Sequence, residues 1–324
     1  MKILVATQIH SEALEKLSAE HDVICAFNGS KELLQSKIVD REALIFRSGV
    51  QITADVMACA PNLRLLIRGG SGMDNIDLDY VRNHDIHLVR VPGPGAKAVA
   101  EMTFGLMLAL ARNILQADRL LREGHWTKHE MTGYQLQGKT LGIIGAGNIG
   151  ARTGELGVAW GMNVIGCVEH VRPTTAERLA AKGIRLAESD EILTAADFLS
   201  IHVPLKDSTY RLIDARALAL MKPGAYLINM ARGGVVDEAA LYEALVESRL
   251  RGAALDVHEQ EGEGKISPLA GLPNVVLTPH IGAGTFDSQS EIGEIIVETV
   301  ERFAAEQALE PHVNGQVHGV VVES

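Results

Sequence analysis

Residues 141–150 read LGIIGAGNIG, an apolar run that enters a glycine turn and leaves as ARTGELGVAW (151–160), a helix candidate despite its own glycines. In GAGNIG, Gly145 permits the tight turn, Gly147 lets backbone approach a pyrophosphate, and Gly150 lets the helix pack close to the strand. The first helical N–H groups and the positive end of the helix dipole then face the phosphates. Such a glycine pattern is weak by itself, and a plain strand-to-helix turn is its structural alternative. The flanking strand and helix favour a dinucleotide.

About 20 residues further on, an acidic side chain is expected at the adenosine ribose. The segment is NVIGCVEHVRP (163–173), where Glu169 can take that role, while His170 and Arg172 could instead meet a 2′-phosphate. NAD is the favoured cofactor, with NADP left open.

Working outward, short β-rich runs alternate with helical stretches on both sides of the loop. Before residue 100 they are KILVA, DVICAF, ALIF, RLLI and IHLV, with SEALEKLSAE (11–20) starting on Ser11 as N-cap. Afterwards come MNVIGCV, DFLSIHV, AYLINM, GAALDV and NVVLTPH. Alternation of this kind means parallel sheets with helical crossovers. The fold class is therefore α/β with two doubly wound parallel-sheet domains: residues 1–98 with 285–324 form one, and residues 99–284 the dinucleotide-binding one. A long apolar helix over 98–122 and a helical stretch near 285 are expected to join them, and a cleft between the two is expected from that connectivity. VPGPG (91–95) is a hinge candidate, since Pro92 and Pro94 restrict the chain while Gly93 and Gly95 permit unusual angles. The tail after Ala305 reads as loop, with Pro311 and Gly315 in it.

The 324 residues carry 47% hydrophobic and 22% charged side chains, enough for two buried cores. A formal net charge of −11, with no Lys/Arg cluster, argues against a nucleic-acid partner. The longest apolar run, MTFGLMLALA (102–111), is about half of a bilayer span, and MKILV breaks off too early for a signal-peptide core, so no membrane partner and a cytoplasmic location are expected. Cys25, Cys59 and Cys167 are widely spaced in apolar segments, which indicates core residues rather than a disulfide framework or a metal site.

NMARGGVVDE (229–238), LDVHEQEGE (255–263) and LTPHIGAG (277–284) each follow a strand candidate. Carboxyl ends of parallel strands line ligand crevices, so Arg232, Glu261 and His280 are expected at one rim. Taken singly, each has a bland alternative: Arg232 as an ion-pair partner of Asp237, His280 as a packed core residue, Glu261 as one more solvated acid beside Glu259 and Glu263.

Together with FRSGVQITADVM (46–57), RGGSGMDNIDL (68–78) and GHWTKHEMTGYQLQGKTLGIIGAGNIG (124–150), these stretches resemble, in order, the D-isomer-specific 2-hydroxyacid dehydrogenase family, most closely its phosphoglycerate dehydrogenase branch in a short form. The resemblance implies a flavodoxin-like substrate domain beside a Rossmann-type domain, and hydride transfer between NAD(P) and C2 of a small 2-hydroxy acid. In that scheme the guanidinium of Arg232 grips the carboxylate and polarises the carbonyl. His280 exchanges the proton, and Glu261 orients the imidazole.

The family writes Glu-Pro where this chain has Glu261-Gly262, and an aromatic where His258 stands. It implies cofactor contacts from Ser71, Gly145, Gly147, Asn148, Ile149, Gly150, Glu169, Val203, Met230, Ala231, Arg232, Asp256, His280 and Gly282, with Asp256 at the nicotinamide carboxamide. The ribose acid of the family matches Val168. Arg47 and Arg68, with the Gly69, Gly70, Ser71, Gly72 turn, are expected to bind the substrate, and two extra cations favour one with a second anionic group. A homodimer built on the 98–122 helix is implied, with Trp126 and Lys128 reaching the neighbour. Two rival activities stand beside this one: a dinucleotide-sensing corepressor, which the complete set Arg232, Glu261, His280 disfavours, and oxidation of phosphite or formate on the same scaffold. Formate members carry an amide at the position of Glu261.

Overall fold

The structure, a computed structural model, describes residues 1–309 and divides into two compact units: Met1–Gly95 with the chain from Gly284 onward, and Ala96–Ala283. The first unit opens with β1 (Lys2–Val5), α1 (Ser11–Glu20), β2 (Asp22–Cys25), α2 (Lys31–Ile38), β3 (Ala43–Phe46), α3 (Ala54–Met57), β4 (Leu65–Arg68), α4 (Leu78–Asn83) and β5 (His87–Arg90). After α5 (Gly93–Ala111), whose first turn carries the boundary, and α6 (Ile114–Arg122), the second unit continues through β6 (Thr140–Ile144), α7 (Asn148–Ala159), β7 (Asn163–Cys167), α8 (Pro173–Ala181), β8 (Arg185–Leu186), α9 (Ser189–Ala195) and β9 (Phe198–Ile201). It closes with α10 (Ala215–Leu220), β10 (Tyr226–Asn229), α11 (Glu238–Val246), β11 (Gly252–Leu255) and β12 (Val275–Leu277), and α12 (Phe286–Leu309) returns to the first unit.

Both sheets are parallel, in the orders β2-β1-β3-β4-β5 and β12-β11-β10-β9-β6-β7-β8. The central strands are buried on both faces, which is why they read as continuous apolar runs rather than alternating ones. In the first unit, Ile3, Val5, Ile45, Leu65 and Ile67 pack with Ala13 and Leu17 of α1 and Ile292, Ile296 and Val300 of α12. Their neighbours Leu4, Leu44, Phe46 and Leu66 point the other way, onto Leu34, Ile38, Val56 and Val81. The second sheet is covered on one face by α5 through Phe104, Met107 and Leu110, and on the other by α9, α10 and α11 through Ile192, Leu218, Leu241 and Leu245. Truncating one of these fully buried leucines to alanine costs about 2–5 kcal/mol, so the layers are fixed mainly by this burial.

Several expectations are corrected. Ser11 is the first helical residue, and His10 is the N-cap, with no side-chain capping bond. The 98–122 helix is two helices bent by 60°, broken at Asn113, whose φ of 52° is left-handed. VPGPG takes no unusual angle: α5 begins at Gly93, and neither Gly93 nor Gly95 has positive φ. Cys25 is exposed because β2 is an edge strand, and Cys59 and Cys167 are only half-buried; all three thiols are free. Strand β8, two residues long, had no sequence signal. Helix α12 runs past Ala305 to Leu309, while Pro311 and Gly315 lie outside the described residues. No single helix among the described residues is long and apolar enough to cross a membrane.

Candidate active site

At the carboxyl end of β6, Gly145 has φ +95°, and a Cβ there would sit 2.7 Å from Val203 Cγ1 and 2.8 Å from the His202 carbonyl oxygen. The N–H groups of Gly145 and Ala146 both donate to the Cys167 carbonyl, which ties the turn to the end of β7. Gly150 packs so closely that a Cβ would come within 2.2 Å of the Gly145 oxygen. Gly147, the N-cap of α7, has nothing within 4 Å of its missing side chain. A closed turn, an open glycine and a helix N-terminus starting at Asn148 and Ile149 suit a pyrophosphate.

Just past β7, Val168 is half-buried and packs against the core. Glu169 is exposed and bonded to Lys206 Nζ at 2.8 Å; that lysine holds its carboxyl below the ordinary range.

Three strands along, β10, β11 and β12 are consecutive neighbours, and their carboxyl ends carry Arg232, Glu261 and His280. Asn229, 1% exposed, shapes the first of these turns: its Oδ1 accepts from the Ala231 N–H and its Nδ2 donates to the Arg232 carbonyl. Met230 and Ala231 are buried, and Arg232 Nη1 donates to the Ala231 carbonyl. Asp237 caps α11 and pairs with Arg211. The Arg232 turn abuts the next loop so tightly that a Cβ on Gly233 would lie 1.8 Å from the His258 oxygen.

Glu261 is held in place despite the missing proline. Its Oε2 lies 3.0 Å from His280 Nδ1, and its Oε1 accepts the His258 N–H at 3.2 Å. Partial burial pushes this carboxyl up, but the hydrogen bond and charge of His280 and the His258 N–H outweigh it, so its pKa falls below the usual value. His258 stands as a polar tie: its Nε2 must carry a proton, because it donates to the Thr278 carbonyl at 2.9 Å. The loop is anchored from behind by Glu238, 3% exposed, which accepts from the Glu259 N–H at 2.7 Å and from Ser267 Oγ.

Asp256, 2% exposed, performs the same service for the His280 loop. Its Oδ1 accepts from Thr278 Oγ1 and the Ile281 N–H, and its Oδ2 from the Gly282 N–H. His280 itself has φ 54°, a left-handed conformation uncommon outside glycine. Beside the Glu261–His280 couple lies a cavity of about 650 Å³ within this unit, walled by His258, Lys265, Ile266, Leu277 and Pro279.

Within the first unit, two arginines stand at strand ends. Arg47 follows β3; burial lowers its pKa, and its guanidinium has no partner among the described residues. Arg68, at the end of β4, is 5% exposed and donates to the carbonyls of Gly69 and Gly72, so it shapes the Gly69–Gly72 turn. Gly70 has φ +159°, close to extended backbone, and Ser71 is exposed.

Sequence reasoning passed over Asn229, Glu238, Thr278 and Lys206. Glu238 alone had a signal, its place at the end of ARGGVVDE, and that reads equally well as helix-start acidity.

The description "D-isomer specific 2-hydroxyacid dehydrogenase, NAD binding domain" matches residues 104–282. The chain is 41% identical over 315 residues to the D-3-phosphoglycerate dehydrogenase of Methanocaldococcus jannaschii, covering 97% of this chain but 59% of that protein's length. It is 37% identical to the hydroxypyruvate reductase of Thermotoga maritima, covering 92% of this chain and 97% of that one. The crystal structure of D-lactate dehydrogenase from Aquifex aeolicus, complexed with NAD and lactic acid, superposes with a TM-score of 0.83, with 30% identity over 95% of this chain and 97% of the other. With the glycine turn, the Arg232 turn and the Glu261–His280 couple all on carboxyl strand ends, the chain belongs to the D-isomer-specific 2-hydroxyacid dehydrogenase family.

Proposed function

We propose that this chain is an NAD(P)-dependent D-2-hydroxyacid dehydrogenase whose substrate carries a second anionic group. The observation that carries the reading is the Glu261–His280 couple at 3.0 Å. With Nδ1–H committed to Glu261, His280 keeps Nε2 for proton exchange: it takes the hydroxyl proton when the alcohol is oxidised and returns it when the ketone is reduced. The nicotinamide, when bound, supplies or accepts the hydride. Arg232, presented by the neighbouring turn, is suited to the substrate carboxylate through its forked donors. Asp256 and Gly282 fix the backbone that presents His280.

Arg47 supports the finer statement about substrate. A partly buried guanidinium with no carboxylate beside it is a cation kept for something that arrives, and a phosphate, sulfonate or carboxylate fits. Backbone N–H groups of Gly69 to Gly72, whose turn Arg68 braces, suit the carboxylate end. Relatives named D-3-phosphoglycerate dehydrogenase and hydroxypyruvate reductase support the substrate class.

A homodimer belongs to the same reading. Helix α6 buries none of its residues and leaves Ile114, Leu115 and Leu121 exposed, followed by Trp126 at 81% exposure, an apolar strip suited to a second copy.

The test is a steady-state screen of 3-phosphoglycerate, sulfolactate, malate, glycerate and lactate with NAD and NADP, alongside the matching 2-oxo acids. Turnover of a dianionic acid, abolished in His280→Ala, is expected. Absence of turnover with every acid in both directions overturns the reading.

A further inference from the structure

The adenosine end of the cofactor site departs from what selects an unphosphorylated ribose. In dinucleotide folds a carboxylate just past the second strand accepts hydrogen bonds from the ribose hydroxyls, whereas nearby cations accommodate a 2′-phosphate. Here β7 ends at Cys167, and the next residue, Val168, is apolar and packed against the core, so it offers the ribose no acceptor. Glu169 follows, but its carboxylate is engaged by Lys206 at 2.8 Å. Lys206 comes from the loop after β9. Strands β7 and β9 flank β6 on either side, so this ion pair joins the two loops that border the Gly145–Gly147 turn. Arg172 lies at the N-cap of α8, exposed and with no side-chain partner among the described residues. Glu169, Arg172 and Lys206 together sum to one positive charge, and His170 adds to it when protonated.

Resting on the dinucleotide reading above, we propose that this site accepts a 2′-phosphate, with Lys206 passing from Glu169 to the phosphate and Arg172 as the second cation, so that NADP(H) is bound at least as tightly as NAD(H). The exchange is physically easy. Both partners of the Lys206–Glu169 pair are about half exposed, and exposed ion pairs are weak contacts, whereas a dianionic phosphate offers three oxygens for charge-assisted hydrogen bonds. In an unphosphorylated cofactor the same pair leaves the ribose hydroxyls facing a neutralised carboxylate and a valine.

The test reads binding, not turnover: calorimetric titration of the full chain with ADP-ribose and with 2′-phospho-ADP-ribose, which lack the nicotinamide. The phosphorylated ligand is expected to bind at least as tightly as the other. Lys206→Ala should lower the ratio of the two affinities by about tenfold, as the loss of one charge-assisted contact implies, and Glu169→Gln should raise it. Both side chains are exposed, and an unchanged melting temperature confirms the fold of each variant. A wild-type preference for ADP-ribose, or a ratio that stays still or moves the other way in either variant, overturns the proposal while leaving the dinucleotide reading intact. Failure of both ligands to bind overturns that reading, and this proposal with it.

Discussion

The buried carboxylate of Asp256 holds Gly282 by its N–H at 2.8 Å, and so fixes from below the loop on which His280 sits. Through Thr278, Ile281 and Gly282 the same carboxylate gathers three donors, and its own carbonyl accepts the His280 N–H at 2.8 Å. The left-handed φ of His280 is sustained by this clamp. Asp256→Asn replaces one acceptor oxygen with an NH2 facing a buried donor. The expected loss is about 2–3 kcal/mol of stability, the cost of leaving charged-group hydrogen bonds unmade, together with a fall in kcat. Chemical denaturation and steady-state rates check it; a variant as stable as the parent would show that the clamp is dispensable.

Glu261 carries a pH signature. Its folded pKa lies below the ordinary 4.5, because the His280 hydrogen bond and charge and the His258 N–H outweigh the effect of burial. A carboxyl depressed in this way contributes stability that is fully present above about pH 4.5, its unfolded value, and lost as pH falls through its folded one. Glu261→Gln should remove that acid step from the stability–pH curve and lower kcat at neutral pH by about ten- to a hundredfold, through misorientation of His280. An unchanged acid limb would place the titration elsewhere.

At the next residue, restoring the family's proline should do harm. Gly262 has φ +122°, which the proline ring cannot reach, and its missing side chain faces open space. The loop that carries Glu261 is fastened instead by Glu238 through the Glu259 N–H and Ser267. Gly262→Pro is expected to lose most activity, and Gly262→Ala to cost about 1 kcal/mol from backbone strain alone. Retained activity in the proline variant would mean that the loop adopts another path.

The order of strands and the glycine turn were legible in the sequence because doubly covered parallel strands are written as unbroken apolar runs, and Gly145, Gly147 and Gly150 each answer a separate steric demand. Edge and centre were not legible: Cys25 looks as apolar in sequence as its neighbours, and only the strand order exposes it. Arg232, Glu261 and His280 were visible as reactive side chains after strands, and Asp256 as an expected cofactor contact, whereas the bonds that hold the three in place were not. Asp256 reaches a backbone N–H 26 residues away and Glu238 one 21 residues away, and no local pattern marks such a bond. In sequence, a buried acid that clamps backbone looks the same as a solvated one.

Arg47 should separate substrates by charge. Its guanidinium is partly desolvated and without a partner among the described residues, so a second anion on the substrate would gain a charge-assisted contact there. Arg47→Ala is expected to raise KM for 3-phosphoglycerate or another dianionic acid by about ten- to a hundredfold, with little change for lactate or glycerate. Equal effects on both kinds of acid would remove Arg47 from substrate selection.

The two glycines at the start of α7 predict opposite outcomes from the same substitution. Gly150→Ala drives a Cβ to 2.2 Å from the Gly145 carbonyl oxygen and 2.9 Å from Ile143 Cγ2, so the helix must move off the strand. Overpacking of this kind costs about 1–3 kcal/mol or more, visible in the melting temperature before any nucleotide is added. Gly147→Ala meets nothing within 4 Å, and its φ of −74° lies outside the left-handed region, so the free protein should melt close to the parent. The added methyl instead occupies the space that a pyrophosphate needs, and nucleotide affinity should fall about tenfold or more by fluorescence titration. Normal binding in Gly147→Ala would move the phosphates away from this turn, because an open glycine is useful there only to a ligand that approaches its backbone.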